Sequence, residues 1–289
     1  MKKLYGTGVA LVTPFDAKGG IDFKALKKLL LHTSKGVDYL VVMGTTGESV
    51  TVTSEEKKQV LQFVISNNPK KLPIVFGIGG NNTQSVLDTI KSVNFKGIDA
   101  VLSVSPYYNK PSQEGIVQHF NAVANACPVP IILYNVPGRT SSNLTAETTL
   151  RLAQHQNIIG IKEASGNLDQ CMKISKEKPK DFLLISGDDL LTVPLYSIGG
   201  KGVISVLANC FPVIFKKMKD HAFAGNYSKA QHEQFKLLEI NGPMYEEGNP
   251  VGVKQVLQEM GICSNMVRLP LVPASEGLQK KIKSLLSRL

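Results

Sequence analysis

Eight short apolar runs rich in β-branched residues recur along this chain, each followed by a polar loop and a segment of helical periodicity. They span Gly8–Pro14, Tyr39–Met43, Pro73–Ile78, Ala100–Ser105, Ile131–Asn135, Ile158–Glu163, Phe182–Ser186 and Gly202–Leu207. Strand alternating with helix specifies βαβ units and a parallel sheet, because parallel neighbours need a crossover long enough to hold a helix. Helix starts are marked in the gaps. Asp22 precedes Phe23, Leu26, Leu29 and Leu30, Thr53-x-x-Glu56 reads as a capping box, and Asn81-x-x-Gln84 resembles one. Eight such units within about 210 residues predict an α/β chain closed into a (β/α)8 TIM barrel.

Beyond the eighth run only helical patterns continue, at Phe211–Ala224, Ser228–Glu239, Pro250–Met260 and Glu276–Leu289. Three of them exceed what a minimal barrel uses. The expectation is a catalytic barrel over residues 1–224 and a C-terminal helical appendage over 225–289, with no low-complexity linker between. A doubly wound open sheet is the rival architecture, and it would want a nucleotide loop. Gly77-Ile78-Gly79-Gly80-Asn81-Asn82 lacks the last glycine of GxGxxG, and Gly199-Gly200-Lys201-Gly202 is no Walker A loop.

Charged residues make up 19% of the chain, and apolar residues with glycine about 49%, which excludes disorder and supports a large core. No apolar run nears the roughly 18 residues of a membrane helix. Met1-Lys2-Lys3 could begin a signal peptide, but Thr7, Thr13, Pro14 and Asp16 interrupt the apolar stretch, so a strand is expected there. The four cysteines and five histidines form no CxxC, HxxxH or HExxH spacing, which argues against a disulfide framework or a metal site and for a cytoplasmic protein. The net charge of +10 is spread over helical-looking lysine pairs without zinc-finger spacing or an RRM-type aromatic motif. Neither a nucleic acid nor a membrane is an expected partner. A small anionic substrate fits better.

In a barrel the chemistry sits at the C-terminal ends of the strands. Those ends carry Gly44-Thr45-Thr46-Gly47-Glu48, Ser105-Pro106-Tyr107-Tyr108-Asn109, Tyr134-Asn135-Val136-Pro137-Gly138-Arg139-Thr140, Lys162-Glu163-Ala164 and Ser186-Gly187-Asp188-Asp189. Lys162 stands out, since a lysine within an apolar strand is unfavourable unless paired or neutral. Alternation puts it on the face of Gly160, whose missing side chain leaves room for the stem, and puts Glu163 on the other face. Two readings stay open: a desolvated amine that attacks carbonyls, or a structural charge tied to Asp188 or Asp189. An imine-forming amine needs a proton shuttle, for which Tyr134 on the adjacent strand is suited, with Thr45 and Thr46 as a relay. Arg139 suits a substrate carboxylate. Each has an ordinary alternative: a strand-end tyrosine, a Thr-Thr-Gly turn, a surface arginine. Asp188 and Asp189 without histidine or cysteine nearby make a poor metal site.

Taken together, Gly44–Glu48, Tyr134–Pro137 and Lys162–Ala164, with the lysine 28 residues after the tyrosine, resemble the pyruvate-dependent class I aldolase superfamily. Ser105–Pro111, Gly138-Arg139-Thr140 and Ser186–Asp189 narrow the likeness to the dihydrodipicolinate synthase family, in register from about Gly6 to the C-terminal helices. The resemblance implies a homo-oligomeric barrel enzyme, commonly a tetramer built as a dimer of dimers. Such enzymes condense pyruvate with L-aspartate 4-semialdehyde on the route to diaminopimelate and lysine. It implies a Schiff base on Lys162, proton transfer by Tyr134 through Thr45 and Tyr108, and Tyr108 reaching the neighbouring subunit. It further implies pyruvate contacts from Thr46 and Ile204, a carboxylate clamp at Arg139, a pocket floor at Gly187, and no external cofactor.

One departure concerns regulation. Feedback-sensitive members of that family bind L-lysine near two histidines and a glutamate, whose matching positions here are Ser54, Lys57 and Ser85, although Tyr107 and Asn81 match. The cationic Lys57 side chain would repel the amino acid's ammonium groups, so weak or absent inhibition is expected. Rival readings are an N-acetylneuraminate lyase or 2-keto-3-deoxy sugar acid aldolase, against which Arg139 and Tyr107-Tyr108 argue, and a non-catalytic acid-binding barrel.

Overall fold

The computed structural model describes residues 2–289. Eight parallel strands close a barrel in sequence order: β1 (Gly6–Ala10), β2 (Tyr39–Val42), β3 (Ile74–Gly77), β4 (Ala100–Val104), β5 (Ile131–Asn135), β6 (Ile158–Glu163), β7 (Leu183–Ser186) and β8 (Gly202–Ser205). The helices between and after them are α1 (Phe23–Thr33), α2 (Ser54–Asn67), α3 (Thr83–Ser92), α4 (Gln113–Ala126), α5 (Pro137–Thr140), α6 (Ala146–Leu152), α7 (Leu168–Glu177), α8 (Thr192–Ser197) and α9 (Pro212–Phe223). Then follow α10 (Tyr227–Phe235), α11 (Leu238–Asn241), α12 (Val251–Glu259) and α13 (Glu276–Leu286). β1 closes on β8 by pairing Gly6 with Gly202, where a Cβ on Gly202 would lie 2.5 Å from the Gly6 carbonyl oxygen.

Asp22 caps α1 by accepting from Ala25 N, and Thr53 with Glu56 forms the reciprocal box that opens α2. The cap of α3 is Asn82, which accepts from Ser85 N, one residue later than the Asn81 expectation. Of two consecutive asparagines, the second lies three residues before a free helical N–H. β1 ends at Ala10, earlier than Pro14. Leu11, Val12 and Thr13 instead bond individually to Val41, Asn209 and Gly47 at the rim. The expected Ser228–Glu239 helix is divided into α10 and α11.

Side chains alternate between two apolar layers. Tyr39, Val41, Val75, Leu102, Ile132 and Ile185 fill the barrel interior, while the outward residues pack under the helices. The outer layer continues without a break into Met244, Val253, Val256 and Leu257 of the C-terminal helices. β5 and β6 run in register from Ile132–Gly160 to Asn135–Glu163, after a shift next to Ile131 that turns both Ile159 and Gly160 inward. No helix among the described residues is long and apolar enough to cross a membrane.

Candidate active site

Pairing of β5 with β6 sets Tyr134 directly opposite Lys162 at the C-terminal mouth of the barrel. Both side chains point inward. Lys162 is 5% exposed, and its Nζ lies 4.2 Å from the Tyr134 ring centroid, in cation–π range. Among the described residues no carboxylate comes within ion-pair distance of Lys162 or of Arg139. The structural alternative for Lys162 therefore lacks its partner. Asp189 is buried and accepts from Val206 N, Leu207 N and the Tyr245 hydroxyl, while Asp188 accepts from Leu190 N. Burial raises the Asp189 carboxyl above the usual carboxylate range and the Tyr245 phenol above its ordinary value.

Glu163 faces away, as alternation requires, and its buried carboxylate is held by Asn135 Nδ2 at 3.0 Å, Gln170 Nε2 at 2.8 Å and Ser165 N at 2.7 Å. One strand pair thus presents Tyr134 and Lys162 to the interior and Asn135 and Glu163 to the outside. The space for the lysine stem comes from Gly187, where a Cβ would sit 3.0 Å from Lys162 Cε. Gly160 serves another purpose than expected: its missing Cβ admits Leu183 of the neighbouring strand, 2.7 Å from where that atom would stand.

A cavity of about 730 Å³ opens at this mouth, with Thr45, Tyr107, Tyr134 and Arg139 among its walls, and extends to Ser54, Lys57 and the gap between α2 and α3. Thr45 lies in a one-turn helix that follows β2, and Arg139 is exposed on α5. Ile204 is buried in the interior layer beneath. Tyr108 is the outlier. It is 86% exposed with a φ of 73°, on the loop after β4, and within one chain it does not join Lys162 and Tyr134. Lys57 is half-buried, and desolvation lowers its pKa. No group of three or more His, Cys, Asp or Glu residues suited to a metal gathers among the described residues.

Sequence reasoning missed four contributors. Asn135 and Glu163 carry a legible signal, since they are separated by the same 28 residues as Tyr134 and Lys162. Tyr245 and Asn249 carry none, because they come from the C-terminal segment. Asn249 Nδ2 donates to Thr46 Oγ1 at 3.1 Å across 203 positions of sequence.

The motif next to Thr46 is locked from the same side. Glu48 Oε1 accepts from Lys254 Nζ at 2.5 Å, Oε2 accepts from Arg268 N at 3.0 Å, and Lys254 also donates to Met266 O. Lys254 Nζ and the Arg268 guanidinium both lie over the Phe15 ring, at 4.1 and 4.4 Å.

Residues 3–289 match the model of the "Dihydrodipicolinate synthetase family". The 4-hydroxy-tetrahydrodipicolinate synthase of Cytophaga hutchinsonii is 52% identical over 284 residues, covering 98% of this chain and 96% of its own. A crystal structure of the chloride-inhibited dihydrodipicolinate synthase of Acinetobacter baumannii in complex with pyruvate superposes with a TM-score of 0.95 at 38% identity, covering 98% of both chains. The lysine-bound enzyme of Cyanidioschyzon merolae gives 0.94 at 37% identity, over 99% of this chain and 98% of that one. The shared barrel, the lysine–tyrosine pair at its mouth and this full-length likeness lead to one assignment: the chain belongs to the dihydrodipicolinate synthetase family.

Proposed function

We propose that this chain condenses pyruvate with L-aspartate 4-semialdehyde to give 4-hydroxy-tetrahydrodipicolinate, with Lys162 as the nucleophile. The observation that carries this reading is a buried lysine with no carboxylate partner among the described residues, its amine over the ring of the tyrosine that pairs with it across two strands. A buried amine that is not tied up in an ion pair is placed to add to a ketone.

The steps follow from that pair. The Lys162 amine adds to the ketone carbon of pyruvate, and the carbinolamine loses its hydroxyl as water once a proton is delivered, which is the work assigned to Tyr134. Removal of a methyl proton from the imine gives an enamine. The enamine carbon bonds to the aldehyde carbon of the second substrate, and the aldehyde oxygen takes a proton to become the hydroxyl. The amine of that substrate then attacks the imine carbon, closes the ring and releases Lys162, so one water is lost overall. Thr45 and the Tyr108 of a neighbouring copy extend the proton path. Thr46 and Ile204 hold pyruvate, Gly187 keeps the floor open, and the exposed guanidinium of Arg139 takes the second carboxylate as a bidentate partner. The assembly in this reading is a cytoplasmic homo-oligomer.

Borohydride reduction in the presence of pyruvate, followed by peptide mass mapping, tests the reading. A reduced pyruvyl adduct on Lys162, absent from Lys162→Ala, is the expected result. An adduct elsewhere, or none, defeats it.

A further inference from the structure

The Thr46 hydroxyl is buried and has one protein hydrogen-bond partner among the described residues, the side-chain amide of Asn249. A hydroxyl offers one proton and two lone pairs. Because Asn249 Nδ2 donates at 3.1 Å, one lone pair of Thr46 Oγ1 is used and the proton turns away from Asn249. Thr46 is thereby set as a donor. With the amide reversed, Thr46 would give its proton to Asn249 and present lone pairs to whatever else approaches, and an anion would be repelled.

We propose that Asn249 is a positioning residue for the keto-acid site, fixing the Thr46 hydroxyl as a hydrogen-bond donor toward the substrate carboxylate. This rests on the assignment of Thr46 to pyruvate made above. The placement of Asn249 supports it. The residue lies two positions before the start of α12, and Lys254 on that helix grips Glu48 at the other end of the Thr45–Glu48 turn. The C-terminal segment therefore meets the turn twice, once to hold its backbone through Glu48 and once to set the direction of a single hydroxyl. The other amide atom, Oδ1, is buried without a partner among the described residues, so the bond to Thr46 is the one polar contact that the Asn249 side chain makes there. An unsatisfied buried carbonyl costs stability, which a residue retained for packing alone would avoid.

Steady-state kinetics of the full-length enzyme with Asn249→Ala, Asn249→Asp, Thr46→Val and Asn249→Ala/Thr46→Val test the proposal. Asn249→Ala should raise KM for pyruvate about tenfold, equivalent to roughly 1.4 kcal/mol, while kcat stays within about threefold and KM for the aldehyde hardly moves. Asn249→Asp, the same size but offering only acceptors when ionised, should raise it further. It is also the variant to rely on if alanine impairs folding. The double variant should bind pyruvate no worse than Thr46→Val alone, since the bond can be lost only once. Additive losses in the double variant, an unchanged KM for pyruvate, or a fall in kcat alone would overturn the proposal. A wild-type enzyme that traps no pyruvate on Lys162 would instead overturn the imine reading, and this proposal with it.

Discussion

Lys162 and Lys254 are both withdrawn from water and both lie over an aromatic ring, and they differ in what else meets the amine. Lys254, fully buried on α12, has its ammonium saturated by Glu48, the Met266 carbonyl and the face of Phe15. Burial pulls its pKa down and Glu48 pulls it back up. Lys162, also buried, meets an aromatic face and no carboxylate among the described residues. Burying an ion pair costs more solvation than its attraction easily returns, so such a pair specifies an arrangement more than it stabilises one. A buried amine without an anion specifies nothing structurally and is free to react. The contrast separates a lysine that holds the molecule from one that, in the proposed function, acts on the substrate.

The largest effect should come from Lys162→Ala, with kcat lower by on the order of 10⁴-fold and the thermal midpoint unchanged or raised, because no partner loses its counter-charge. A midpoint that falls as far as that of a Lys254 variant would erase the distinction. Next, Lys254→Met should cost about 3–5 kcal/mol in urea titrations by leaving Glu48 buried and unpaired, and Glu48→Gln in the same chain should recover much of it. Borohydride should still trap pyruvate on Lys162 in that variant.

A smaller effect lies beside the structural pair. Arg268 holds the Glu56 carboxyl down to about 2, against an ordinary 4.5. A carboxylate with a lowered folded-state pKa stabilises above its unfolded value and loses that stabilisation as pH falls from about 4.5 through 2. Glu56→Gln should therefore flatten the acid side of the stability profile between those values while leaving the alkaline side unchanged, as read from urea midpoints across pH. The smallest expected effect is regulatory: with Ser54, Lys57 and Ser85 in place, sub-millimolar L-lysine should leave the initial rate unchanged. Inhibition in that range would mean that Lys57 yields to an incoming cation.

Much of the barrel is legible because its signals are local. Ile131–Asn135 and Ile158–Glu163 are bounded as read, since apolar composition and ladder coincide there. β1 is misjudged because Leu11 and Val12 are apolar for a different reason: they are buried at the rim, beyond the last paired residue. Within the site, the positions of Tyr134 and Lys162 follow from strand order and spacing. The Asn249–Thr46 and Lys254–Glu48 contacts join residues more than 200 positions apart and leave no periodic trace. Spacing along the strand points to Gly160 for the room beside the lysine stem, whereas Gly187, just past the end of the next strand, supplies it.

The shift between β5 and β6 has a further consequence. Ile158 lies on the outer side with Ile131, so counting by twos along β6 would send residue 162 outward and residue 163 inward. The one extra inward residue reverses that parity. An amine enters the lumen instead of a carboxylate. An insertion or deletion of one residue between Gly160 and Lys162 would exchange the two while barely altering the strand's composition. Which of these two side chains enters the barrel thus depends on an odd–even count that hydrophobicity alone does not record.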